Sequence, residues 1–80
     1  VADTSAAKST QSTLEALLAN LTLDSMKTLR AEVEEDLAKA KAVLENPKAT
    51  QAQVDEQVKL MEDLIRRVRE AFLLRFFKTQ

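Results

Sequence analysis

Residues 41–58, KAVLENPKATQAQVDEQV, decide the fold because they contain one helix stop and one helix start. Proline cannot continue a helix and biases the preceding residue away from helical backbone angles, so a helix should end at Asn46 and Pro47. Thr50 followed three residues later by Gln53 is a capping box, in which the two residues satisfy each other's backbone amides. The sequence therefore predicts two helices joined near residues 46–50, and so short a connection makes them antiparallel.

Apolar residues recur at intervals of three and four on both sides of this connection, which is the spacing of a buried helix face. Upstream, the stripe predicts a helix from about residue 23 to residue 45, and it comprises Met26, Leu29, Val33, Leu37, Ala40 and Leu44, widened by Val43. Downstream, the stripe predicts a helix over residues 51–77, and it comprises Val54, Val58, Met61, Ile65, Val68, Phe72 and Phe76, broadened by Leu60 and Leu64. Three acid-to-base pairs spaced i,i+4 should form on the outer faces: Glu35–Lys39, Glu62–Arg66 and Asp63–Arg67.

A third, shorter helix precedes these two. Its apolar face is marked by Leu14, Leu17, Leu18 and Leu21. Its start is open, since Ser12 with Glu15 forms one possible capping box and Ser5 could cap an earlier start. Thr22 is a suitable N-cap for the next helix.

These elements predict an all-α protein, an up-down-up antiparallel three-helix bundle with a short first helix. We expect a linker-like N-terminus at residues 1–8, a single bundle domain at residues 9–77 and a C-terminal end at residues 78–80. The third helix is longer than the second and should extend past it by about one turn.

The amino-acid composition excludes most kinds of catalytic site. The 80 residues include no Gly, Cys, His, Trp or Tyr, so the chain can form no disulfide, no thiolate or imidazole metal site and no Ser-His-Asp triad. We expect no enzymatic activity, no cofactor and no metal. No apolar run is longer than that of residues 71–74, which is far too short to span a membrane. The N-terminus lacks a signal-peptide pattern, so an exported protein would contain this chain as a mature piece.

Residues 38–55 resemble the signature of FIVAR modules, the domains "found in various architectures". The matching pattern is A-x-x-V-L-x-N-P-x-A-T-Q-x-Q-V-D from Ala40 to Asp55, and the wider resemblance covers Leu14 to about Arg69. The chain departs from the family at Leu21 to Met26, where the usual aromatic residues are missing. The resemblance implies a non-catalytic spacer or adhesion module of a secreted or cell-wall-attached Gram-positive protein. It implies neighbouring modules of the same polypeptide, or host matrix proteins or glycans, as partners.

Two charged clusters invite a functional interpretation. The acidic cluster contains Glu32, Glu34, Glu35 and Asp36. A hard cation needs six or more oxygens from several elements, so we interpret this cluster as a solvated helix face.

The basic-aromatic C-terminal end alternates Arg66, Arg67, Arg69, Arg75 and Lys78 with Phe72, Phe76 and Phe77. The topology places it beside the end of the first helix and the start of the second. We expect Phe72 and Phe76 to cover the apolar residues there, namely Leu18, Leu21, Leu23 and Met26. Phe77 lies off the stripe, and with Arg75 and Lys78 it is the candidate contact for a partner.

Three function classes remain open from sequence. The first is the spacer or adhesion module that the resemblance implies. The second is a helical oligomerisation or partner-binding element, including a homodimer, that uses the Phe-rich end. The third and least favoured is a membrane-surface or nucleic-acid binder, because the single basic cluster is short.

Overall fold

The computed structural model describes the backbone of residues 2–78 and the side chains of residues 2–74. Helix α1 spans Ser5–Leu18, a short 3-10 turn spans Asp24–Met26, α2 spans Lys27–Glu45 and α3 spans Gln51–Lys78. The helices pack in pairs around one core, and residues 2–78 contain no strand. The predicted all-α three-helix bundle is confirmed.

The connection between α2 and α3 is built as the sequence predicts. Asn46 leaves the helix with φ −84° and ψ 113°, and its side-chain oxygen accepts a 2.9 Å hydrogen bond from the Lys48 amide. The Ala49 amide closes the turn on the Asn46 carbonyl at 3.1 Å. The capping box is complete, because the Thr50 amide donates to Gln53 Oε1 at 2.9 Å and the Gln53 amide donates to Thr50 Oγ1 at 3.1 Å. This turn fixes α3 antiparallel to α2.

The core follows the predicted stripes with two corrections. The buried apolar residues are Ala7, Leu14, Leu21, Met26, Val33, Ala40, Val54, Met61, Leu64, Ile65 and Val68. Leu60 was predicted to broaden the apolar face of α3, but its side chain lies at the surface and is 44% exposed. Leu37, Leu44 and Val58 lie on the predicted stripes but are only half-buried, packed against the core from outside. The centre instead consists of residues such as Val33 and Met61, which are fully buried.

The start of α1, which the sequence left open, is the earlier of the two alternatives, although Ser5 itself does not cap the helix. The helix begins at Ser5, so residues 5–8 are helical rather than linker-like, and Ser12 lies within the helix instead of capping it. Asp3 Oδ1 accepts a 2.9 Å hydrogen bond from the Ser5 amide, and this bond holds the pKa of the Asp3 carboxyl below its ordinary value. Ala7 is fully buried, which anchors this extra turn to the core.

The start of α2 is later than predicted. A 3-10 turn occupies Asp24–Met26, and α2 begins at Lys27 without a side-chain cap, so Thr22 does not cap it. Arg30 Nη1 reaches back to the Leu21 carbonyl at 3.3 Å, which holds the connection from α1 against the end of the bundle.

The molecule is a rod of 49 × 17 × 15 Å. Asp3 lies beside the first residue of α3, because its amide donates to Gln51 Oε1 at 2.7 Å and its carbonyl accepts from Gln51 Nε2 at 3.1 Å. The chain therefore enters at the end of the rod where α3 begins. Because α3 runs the length of the bundle, the chain leaves at the opposite end.

Candidate interaction surface

The C-terminal part of α3 extends past α1. Since Asp3 lies level with Gln51 and all helices rise about 1.5 Å per residue, Leu18 at the end of α1 lies near the level of residue 66. Beyond this level, α3 lies beside the connection and the start of α2, which share a groove with its residues Glu70, Ala71 and Leu74. The candidate contact residues predicted from the sequence, Arg75, Phe77 and Lys78, belong to this end of the rod.

Burial changes abruptly along these last turns. Phe72 is half-buried and packs against the core cluster, as expected from its place on the predicted stripe. The next two residues, Leu73 and Leu74, are 55% and 61% exposed. The sequence did not single them out as contact residues, because both lie off the predicted stripe, which runs through Phe72 to Phe76.

The three candidate contact residues, Arg75, Phe77 and Lys78, belong to the last turns of α3, which continues unbroken to Lys78. Their side chains, and that of Phe76, lie outside the described residues. The surface that can be described is therefore formed by the turns just before them.

Leu73 and Leu74 lie at the ends of two shallow grooves that flank α3. The groove between α1 and α3, of about 370 Å³, ends at Leu73 and is bordered by Arg66 and Arg69. The groove between α2 and α3, of about 400 Å³, ends at Leu74 and is bordered by Arg67 and by the buried Met26 at its floor. Both are open to solvent, so the end of the rod combines exposed leucines with basic borders.

The arginines of this end form other ion pairs than the spacing predicted. Arg66 pairs with Asp63, one turn back on α3, instead of Glu62. Arg67 crosses to α2 and pairs with Glu32 at 2.5 Å, instead of Asp63. The i,i+4 spacing considers one helix at a time, so it could not identify Glu32 of the neighbouring helix α2 as the partner of Arg67. The predicted Glu35–Lys39 pair is confirmed at 3.3 Å.

The acidic cluster is divided among separate contacts. Glu32 pairs with Arg67 across the α2–α3 interface, and Glu34 pairs with Arg30 at 3.5 Å. Asp36 is half-buried, its Oδ2 makes no hydrogen bond, and this burial raises the pKa of its carboxyl. Among residues 2–74, no group of three acidic side chains is arranged to hold a metal ion.

A third and larger groove lies between α1 and α2, with a volume of about 580 Å³. Leu18 and Leu37 form its apolar part, which explains why Leu37 is only half-buried. Glu15, Arg30 and Lys41 border it. Like the other two, it is an open surface depression.

No sequence signal indicated the pairing of Asp3 with Gln51. The two residues are 48 positions apart, and Gln51 occupies the first position of α3, where the family signature also has a Gln. Gln51 Nε2 also donates to Asp55 Oδ1 at 2.9 Å, which orients its amide toward Asp3.

Within residues 2–78, no helix combines the length and the apolar character needed to cross a bilayer. Comparisons with protein-family models, with curated proteins and with solved structures return no match to this chain.

Proposed function

We propose that this chain is a non-catalytic helical spacer or adhesion module of a larger secreted or cell-wall-attached bacterial protein. One observation carries the proposal: the chain enters at one end of a 49 Å rod and leaves at the other. A unit with this path adds its full length to a series of modules, whereas a unit with both termini at one end would fold the series back.

The residues behind the resemblance to FIVAR modules support the same function. Asn46, Thr50, Gln51 and Gln53 all make hydrogen bonds that hold the connection or the N-terminal segment in place. These are shape-maintaining roles, as a spacer requires. The Gram-positive context, the extracellular location and the matrix or glycan partners rest on the resemblance alone and belong to the proposal.

The helical partner-binding element is the second candidate. It is favoured by the exposure of Leu73 and Leu74 beside the basic borders of two grooves. A partner helix that lies against this end of α3 would cover both leucines. This candidate is compatible with the first, because a spacer also needs contacts with its neighbours.

The proposal is tested by small-angle X-ray scattering of a fusion of two copies, with Gln80 joined directly to Val1. The single chain has a radius of gyration of 13.9 Å. The square of the fusion's radius of gyration is the square of that value plus the square of half the distance between module centres. The fusion's radius of gyration is then about 28 Å for copies placed end to end and about 16 Å for copies side by side. A value near 28 Å supports the spacer function. A value near 16 Å would contradict it, since the fusion would then gain no length.

A further inference from the structure

We propose that the contact between Asp3 and Gln51 is a tension-bearing clamp, which passes a pulling force that enters at the N-terminal end of the chain directly into helix α3. The proposal deepens the spacer function and rests on it, because a module joined to others in series carries whatever force the series carries. It follows from the position of the contact and from the path of the chain through the rod.

One side chain holds both backbone groups of Asp3. The Asp3 amide donates to Gln51 Oε1 at 2.7 Å, and the Asp3 carbonyl accepts from Gln51 Nε2 at 3.1 Å. Gln51 Nε2 also donates to Asp55 Oδ1 at 2.9 Å, which orients the amide toward Asp3. Only a side chain with an acceptor and a donor side by side can make both bonds to Asp3, so the contact depends on the amide of Gln51.

The clamp is joined to α1 without slack. Asp3 Oδ1 accepts a hydrogen bond from the Ser5 amide, and the Thr4 carbonyl accepts the first helical bond of α1 from the Lys8 amide at 2.9 Å. Along the described residues 2–78, Asp3 is the first residue that hydrogen-bonds to a different helix, and it comes before Ala7, the first fully buried residue of α1. A force that enters at the start of the chain therefore reaches the clamp before it reaches the core.

Helix α3 connects the clamp to the exit from the rod. It begins at Gln51 and continues unbroken for 28 residues to Lys78, which is about 42 Å of helix. While the clamp is closed, a pulling force enters α3 at its first residue and leaves at its last turn. The helices α1 and α2 and the connection between them lie outside this path.

Opening the clamp changes which contacts carry the force. The force then passes from Asp3 along α1, which runs parallel to α3, and pulls the two helices past each other. Because the closed clamp joins the start of α1 to the start of α3, this sliding requires the clamp to open first. The clamp therefore delays loading of the α1–α3 packing that the core depends on.

The strength of the two bonds sets the size of the effect. A typical net hydrogen bond shifts an equilibrium between closed and open states about five-fold. Since both bonds are exposed, we take the lower end for the pair and expect the closed clamp to slow unfolding at least about five-fold at low force. The protection should decrease as the force rises, because opening lengthens the chain.

The proposal is tested by optical-tweezers measurements of the full chain, with handles attached at both termini and the lifetime of the folded state recorded at several constant forces. Gln51→Ala removes both bonds and should shorten the lifetime at least about five-fold at the lowest forces. The control Glu56→Ala changes another exposed residue in the first turns of α3 and should alter the lifetime less than about two-fold. Equal effects of the two substitutions would overturn the proposal.

A second pulling geometry separates a clamp from a general loss of stability. The chain has no cysteine, so Ser12→Cys gives a unique exposed attachment site within α1 that lies beyond the clamp. With handles at residue 12 and at the C-terminus, the force bypasses Asp3, and adding Gln51→Ala should change the lifetime less than about two-fold. A substitution that merely destabilised the bundle would shorten the lifetime equally in the two geometries.

Two results would overturn the proposal here. One is an equal shortening by Gln51→Ala in both geometries, and the other is an unchanged lifetime when the handles are at the termini. If either is found while the two-copy fusion still measures about 28 Å, the spacer function stands and only the clamp is wrong.

Discussion

Replacing Met61 by Ala should be among the most damaging single changes in the molecule, and replacing its neighbour Leu60 should not. Met61 is fully buried in the core cluster, whereas Leu60 is 44% exposed. Truncating a buried Met to Ala costs about 2–5 kcal/mol, through lost apolar contact and the cavity left behind. A domain of this size has a free energy of unfolding of roughly 4–12 kcal/mol, so Met61→Ala removes a large share of it.

Urea unfolding followed by far-ultraviolet circular dichroism measures the difference. We expect Leu60→Ala to cost under about 1 kcal/mol, as surface substitutions do. In thermal unfolding, Met61→Ala should lower the midpoint by at least about 8 °C. Both substitutions shorten an apolar side chain in the same turn of α3, so helix propensity cannot account for a gap between them. Equal losses at the two positions would refute the assignment of the buried face.

The remaining predictions concern the cap, the bundle end and one carboxyl. Thr50→Ala should cost about 1 kcal/mol in urea unfolding, because it removes the hydrogen bond that Thr50 Oγ1 accepts from the Gln53 amide. The control Thr13→Ala, at an exposed position within α1, should change the free energy of unfolding little. Equal costs would show that the cap does not contribute. Phe72→Ala should lower the free energy of unfolding by roughly 2–3 kcal/mol, which is less than the loss for a fully buried Phe. Leu73→Ala should change it by no more than about 0.5 kcal/mol, because Leu73 is exposed. The opposite order would mean that Leu73, and not Phe72, faces the core. Because burial raises the pKa of Asp36, its ionisation opposes folding, so this group's contribution to stability is present at low pH and is lost as pH rises from about 3.8 through the raised pKa. The substitution Asp36→Asn should therefore raise the urea midpoint, relative to the unaltered chain, more at pH 7 than at pH 3.5. An equal change in the midpoint at the two pH values would contradict this reasoning.

The fold was predictable because its determinants are local. Asn46, Pro47, Thr50 and Gln53 act within one turn of each other, and the stripes that surround them repeat at a fixed period. The predictions that the structure corrected depended either on weak local signals or on residues distant in the sequence. The start of α1 lies in a run of Ser, Thr and Ala where several residues could cap a helix, and the choice of Ser5 depends on the burial of Ala7 against the other helices.

The candidate surface was predictable only in outline. Composition located a basic, apolar end, and the topology placed it beside the α1–α2 connection. The partner of Arg67 could not be inferred, because Glu32 is 35 residues away and reaches it through helix packing. The exposure of Leu73 and Leu74 likewise depends on how far α3 extends past its neighbours, which in turn depends on the level at which α1 begins.

The central claim, that the chain enters and leaves at opposite ends of the rod, is tested most directly by one distance. The chain has no cysteine, so Ser5→Cys with Glu70→Cys gives two unique sites for nitroxide labels, both exposed. With Ser5 near the level of residue 53, parallel α1 and α3 place the two Cα atoms about 27 Å apart. A pulsed electron paramagnetic resonance distribution centred near that value supports the account. A distribution centred below about 20 Å would contradict it, because α1 running the other way would bring the two sites to within roughly 10 Å.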